Sequence, residues 1–177
     1  MQINRLILRN FKVFEDLDQR FNKRFTLIVG RNGVGKSSIL DAVSVAFGAF
    51  LLGIPEAISR HIQKGEVRET SREFDGRPDF IVAYLAVVEA EGVVLDPVSN
   101  QPHQLTWKRE LANPKGRTTT KDAREIRALA EAAYVAAIDG ADPAPSFVLR
   151  HRAPLGGAQA SGPKGSTVAV RRLSQQP

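Results

Sequence analysis

Eight consecutive residues, Gly30-Arg-Asn-Gly-Val-Gly-Lys-Ser37, fit the spacing Gly-x-x-x-x-Gly-Lys-Ser/Thr in full. Their flanks decide what that spacing means. Phe25-Thr-Leu-Ile-Val29 comes before and is an apolar run of strand length. After it, Ile39, Leu40, Val43, Phe47 and Phe50 recur at helical spacing. Strand, glycine loop, helix is the order in which this motif acts as a phosphate cradle. A glycine-rich turn with an exposed lysine accounts for neither flank.

The chemistry follows from the residue types. Gly30, Gly33 and Gly35 lack a Cβ, so the backbone can curl closely around an anion. Successive N–H groups then form a nest, and the helix starting near Lys36 adds its unpaired amides and the positive end of its dipole. Lys36 is expected to set an ammonium against the β and γ phosphates, and Ser37 to offer a hydroxyl to Mg²⁺.

A chain of 177 residues is one domain of ordinary size or part of a larger one, and it can bury a core. It has no cysteine, so disulfides and thiolate metal sites are excluded. His61, His103 and His151 show no ligand spacing and are read as structural or surface residues. Met1-Gln-Ile-Asn-Arg5 is no signal peptide, and the apolar run Ala42 to Ile54 is too short for a bilayer. The expectation is a cytoplasmic protein without membrane contact.

The net charge of +6 comes mostly from the end of the chain. Residues 145–177 hold Arg150, Arg152, Lys164, Arg171 and Arg172 and no acid, so residues 1–144 are close to neutral. The tail is rich in Gly, Ala, Pro, Ser and Gln, and its last apolar points are scattered apart from Val168-Ala-Val170. It reads as low-complexity and unstructured. The competing reading, a basic nucleic-acid arm, rests on its charge alone.

Along the body, Gln2 to Arg9 reads as a strand, and a second strand-like stretch ends at Phe21. Asn22-Lys-Arg24 is a turn before the loop strand. The loop helix should end near Leu52, with Gly53 as the C′ residue just past its end and Pro55 as a stop. Glu56 to Arg72 is polar. Phe80 to Val88 reads as one buried strand, Glu89-Ala-Glu-Gly92 as a turn, and Gln104 to Leu111 as a half-exposed strand. Asn113-Pro-Lys-Gly116 is a loop. Thr119-x-x-Asp122 resembles a capping box opening a helix to about Ile138, with Ile126, Leu129, Ala133 and Ala137 on one side. These elements give an α/β chain with a partly parallel sheet at the loop strand and an adjoining antiparallel β patch.

Three segments carry a family resemblance: Leu6-Ile-Leu-Arg-Asn-Phe-Lys12, Phe25 through Ala42, and Ile58 through Arg68. Together they resemble the N-terminal lobe of the ABC-type ATPases that include SMC, RecF and SbcC-like proteins, often called the AAA-23 class. The resemblance covers residues 1 to about 140, so the domains are drawn as a P-loop NTPase lobe over 1–144 and a tail over 145–177. It implies ATP and Mg²⁺ as cofactors, held between two heads in a DNA repair or genome-defence assembly. On that footing Gly30, Asn32, Gly33, Val34, Gly35, Lys36, Ser37 and Ser38 hold phosphates, Ser37 also binds the metal, and Lys12 stands near the nucleotide.

The family's paired-acid strand, its Ser-Gly-Gly signature and its switch histidine are not found in this sequence, so no catalytic residue is assigned. The resemblance implies that a C-terminal lobe or a second head supplies them, with DNA engaged by the complete assembly. The alternative is a non-catalytic nucleotide-binding or interaction module completed in trans. A GTPase is disfavoured because Asn22-Lys-Arg-Phe25 precedes the loop and departs from Asn-Lys-x-Asp. Relatives with the third segment often carry Tyr-Tyr-Gly-Thr-Gly-Arg-Leu-Trp after the alanine-rich helix. Val148 to Gly156 can be encoded so that a one-base shift reads that string, which makes out-of-frame translation a second account of the tail.

Overall fold

The computed structural model describes residues 1–74, 77–96, 99–113, 115–139 and 169–172. The segment 148–156, Gly140 and Pro114 lie outside the described residues.

Apolar residues at every second position build one antiparallel sheet. Its strands are β1 (Gln2–Phe11), β2 (Phe14–Arg20), β6 (Ala86–Leu95) and β7 (Pro102–Leu111), in the order β2-β1-β6-β7. Leu6 and Leu8 of β1, Val88 and Ala90 of β6, and Leu105 and Trp107 of β7 are buried on one face. The other face mixes charged residues with a few apolar ones, among them Ile7 and Val87. There Arg5 on β1 bonds Asp18 on β2 at 2.7 Å and Glu91 on β6 at 2.8 Å, tying three strands together.

The helix α1 (Lys36–Leu51) lies against the apolar face and buries Ile39, Ala42, Val45, Ala46, Ala49 and Phe50. A second helix, α2 (Arg124–Ile138), packs on α1 and β7 through Ile126 and Ala130. The loop strand β3 (Thr26–Val29) belongs to a separate two-stranded sheet. Its parallel partner is β8 (Ala169–Arg172), from Thr26↔Ala169 to Val29↔Arg172. Those four residues are the part of the tail that is described. The strands β4 (Glu69–Phe74) and β5 (Arg77–Val82) form a hairpin of their own. Among the described residues, no helix is long and apolar enough to cross a membrane.

The fold is mixed α/β with an antiparallel sheet, as the sequence suggests, but three local expectations change. The run Phe80 to Val88 is split: β5 ends at Val82 and β6 begins at Ala86. The expected turn Glu89–Gly92 lies inside β6, because β6 is a central strand paired on both sides. Gly92 is small because a Cβ there would stand 2.3 Å from the Gln2 carbonyl and 3.0 Å from the Trp107 ring. Gly53 does follow the end of α1, which Leu52 caps in a right-handed conformation, and it is also a close-approach residue, since its Cβ would meet the Arg127 carbonyl at 2.2 Å. The Thr119 capping box does not form. Thr119 Oγ1 accepts from the Glu110 amide at 3.2 Å, and a short 3-10 turn, Lys121–Ala123, precedes α2.

Candidate functional site

The site begins where β3 ends. Gly33 has φ 84° and Gly35 φ 96°, the left-handed region that other L-residues rarely enter. Gly35 is the residue before α1, and its carbonyl accepts the Ile39 amide at 3.1 Å, which starts the helix. No side chain caps this end, and no acid lies in the first turn. The helix tip therefore keeps its orphan amides and its positive partial charge.

The side chains around the loop follow from that turn. Lys36 is half-buried and folds its ammonium back to donate to the carbonyls of Gly30 (2.9 Å) and Arg31 (2.6 Å). Ser37 is exposed, whereas Ser38 is only 8% exposed. Arg31, Asn32 and Gly33 are exposed and Val34 is half-buried. A Cβ on Gly30 would come within 2.9 Å of a Val34 methyl, and nothing lies within 4 Å of one on Gly33. The loop thus presents backbone on one open side and packs on the other.

That packed side is the β1–β2 turn. A Cβ on Gly35 would meet Phe14 Cζ at 2.5 Å and a Val13 methyl at 2.6 Å. Lys12 opens the same turn, but its ammonium is not on the loop. It pairs with Asp41 of α1 and, at 3.3 Å, with Glu66. Arg60 reaches the same two acids, with its Nη2 3.3 Å from Asp41 and bonded to Glu66. Glu66 is 6% exposed and also accepts the Gln63 amide at 3.1 Å. Burial lowers the Lys12 pKa, but the hydrogen bonds its ammonium donates to Asp41 and Glu66 outweigh it, and the net shift is upward. Among the sequence-assigned residues, the structure brings Gly30 to Ser38 together and sends the Lys12 side chain to its own ion cluster.

Asp41, Arg60 and Glu66 carried no assignment in the sequence. Two signals bear on them: all three lie within the resemblance segments Phe25–Ala42 and Ile58–Arg68, and Gln63-x-x-Glu66 has capping-box spacing. A further unassigned group sits behind them. Arg109 of β7 is fully buried, donates from Nε to the Thr119 carbonyl at 2.9 Å and contacts His61 Nδ1 at 2.8 Å through Nη2. Its Nη1 has no partner among the described residues. No group of three or more His, Asp or Glu capable of holding a metal occurs among the described residues.

Comparison with known proteins gives the kinship. The AAA_23 model, described as an AAA domain, matches residues 5–136. The DNA replication and repair protein RecF of Actinobacillus pleuropneumoniae serotype 5b (strain L20) is 34% identical over 74 residues, 42% of this chain and 19% of that protein. RecF of Salmonella typhi is 35% identical over 82 residues, 40% of this chain and 23% of its own length. The structural maintenance of chromosomes protein 6 of Saccharomyces cerevisiae (strain ATCC 204508 / S288c) is 45% identical over 47 residues, 27% of this chain and 4% of that protein. A crystal structure of the Smc head bound to the C-winged helix domain of ScpA aligns at TM-score 0.45 and 24% identity, covering 73% of this chain and 41% of that one. The chain spans about a fifth of the length of the RecF relatives it matches. It belongs to the AAA_23 family, in the SMC/RecF-like class of ABC-type P-loop ATPases.

Proposed function

We propose that residues 30–38 bind the triphosphate of ATP, and that the chain is the ATP-binding lobe of an SMC/RecF-like ATPase associated with DNA repair or genome defence. One observation carries this reading. Two left-handed glycines lead into a helix tip with no cap and no acid, and the Lys36 ammonium lies across the loop. The site suits its ligand. A side chain at Gly30 would press on Val34 and one at Gly35 on the β1–β2 turn, so either would distort the loop; Lys36 is held by neutral carbonyls rather than by a carboxylate, and the Ser37 side chain is exposed.

In this reading the amides of Asn32 to Ser38 hold phosphate oxygens. Lys36 leaves the Gly30 and Arg31 carbonyls for the β and γ phosphates. Ser37 would hold Mg²⁺ through its hydroxyl, and the ion would supply positive charge against the phosphates. Hydrolysis also needs a second metal-holding acid and a group that positions water. The sequence offers no strand ending in paired acids, so the chain binds nucleotide without turning it over alone. A C-terminal lobe or a second head supplies the remainder, DNA is engaged by that assembly, and the setting is the cytoplasm. The alternative is a non-catalytic nucleotide-binding module that works in trans. It is favoured by Phe25 and Leu27 at the loop strand, which stand 56% and 42% exposed and await a covering surface.

Titration calorimetry with Mg-ATP tests the assignment, with phosphate release followed in parallel. Saturable binding without turnover is expected. Lys36→Ala should weaken binding by at least about tenfold, the value of one charge-assisted contact. Its circular dichroism should stay unchanged. Unaltered ATP affinity in that variant would remove the site assignment.

A further inference from the structure

We propose that Asp41 and Glu66 are positioning residues for the nucleotide loop, and that they act through Lys12. The inference rests on the nucleotide reading above and adds a role that Lys12, Asp41 and Glu66 were not given there.

The argument starts from the β1–β2 turn. Asn10 and Lys12 both sit at positive φ, 48° and 52°, without being glycine. Such conformations persist only where the surroundings hold them. Here the hold is visible. The Lys12 amide donates to the Glu66 carbonyl at 2.7 Å, and the Arg68 amide donates to the Asn10 carbonyl at 2.9 Å. The Lys12 ammonium is taken by the carboxylates of Glu66 and Asp41. The turn is therefore clamped by the segment around Glu66.

Lys12 then reaches the loop along two routes. Its chain neighbours Val13 and Phe14 lie against Gly35, where no Cβ would fit. Its side chain is bound to Asp41, four residues after Ser37 and so on the same face of α1. One route fixes the last residue of the loop, and the other fixes the first turns of the helix that carries Lys36 and Ser37. Glu66 is the common anchor, because it holds Lys12 by backbone and by side chain and is itself held by Arg60 and the Gln63 amide. An ammonium committed to two carboxylates contributes to phosphate binding by geometry rather than by contact.

A double-mutant cycle separates this from direct contact. Mg-ATP affinity is measured by calorimetry for the full chain and for Lys12→Met, Asp41→Asn and the pair together, at a temperature where melting curves show all four folded. Each single change should weaken ATP about three- to tenfold, and the pair should be no weaker than the worse single, the mark of residues acting as a unit. Lys12→Arg should retain affinity close to that of the unaltered chain. If Asp41→Asn leaves affinity unchanged, or if the two losses multiply, the positioning role is wrong and Lys12 acts by itself. If Lys12→Met does not fold, Glu66→Gln decides, since it keeps the shape but drops the charge: an unchanged affinity overturns the proposal. Failure of the unaltered chain to bind ATP would refute the nucleotide reading instead, a distinct result.

Discussion

The indole N–H of Trp107 donates to the carbonyl of Ala46 at 2.9 Å, fastening the antiparallel sheet to the helix that starts at the glycine loop. The two residues are 61 positions apart. Trp107 is 2% exposed and is the one tryptophan of the chain.

Trp107→Phe should therefore cost about 1 kcal/mol for the lost hydrogen bond, plus a smaller packing loss. Trp107→Ala should cost about 3–5 kcal/mol through the cavity it opens. Urea unfolding followed by circular dichroism measures both. An alanine variant within about 1 kcal/mol of the parent would mean that the sheet does not rest on α1 as described.

The two left-handed glycines of the loop should respond differently to alanine. Gly33 has open space where a Cβ would go, so Gly33→Ala meets only the conformational cost of φ 84°, about 1–2 kcal/mol. Gly35→Ala meets a similar cost and also drives its methyl into Phe14 and Val13. Thermal melts should rank Gly35→Ala clearly below Gly33→Ala, and both should weaken ATP binding. Equal melting temperatures would contradict the packing of the β1–β2 turn on the loop.

Local signals in the sequence and long-range contacts in the fold account for what could be read and what could not. Gly30 to Ser37 needs only its own spacing and flanks, so the loop, β3 and α1 were legible. Leu40 matched the helical period yet is 64% exposed, because periodicity does not reveal which surface a helix is given to cover. Gly92 and Gly53 looked like punctuation. Their size answers to Gln2, Trp107 and Arg127, partners distant in sequence. Thr119 looked like a cap and instead serves Glu110. At the site, Asp41, Arg60 and Glu66 are ordinary charges in polar surroundings until the fold brings them to Lys12.

His61 and Arg109 give a prediction in pH. Desolvation of the ring comes first and the Arg109 charge second, and together they push the His61 pKa below its ordinary value of 6.5. In the pH window just below 6.5 the unfolded chain then binds more protons than the folded one. Stability from this group is complete above 6.5 and is lost as pH falls through the depressed folded value. The guanidinium donates to Nδ1, so the neutral ring carries its proton on Nε2. Melting temperatures recorded from pH 8 to pH 5 should fall less in His61→Gln than in the parent, the difference isolating this residue from the carboxylates. Arg109→Met should raise the His61 pKa part of the way back, since the charge is gone and the desolvation stays. Proton NMR of the His61 ring reads that value directly. A His61 pKa unmoved by Arg109→Met would show that the buried guanidinium does not act on the ring.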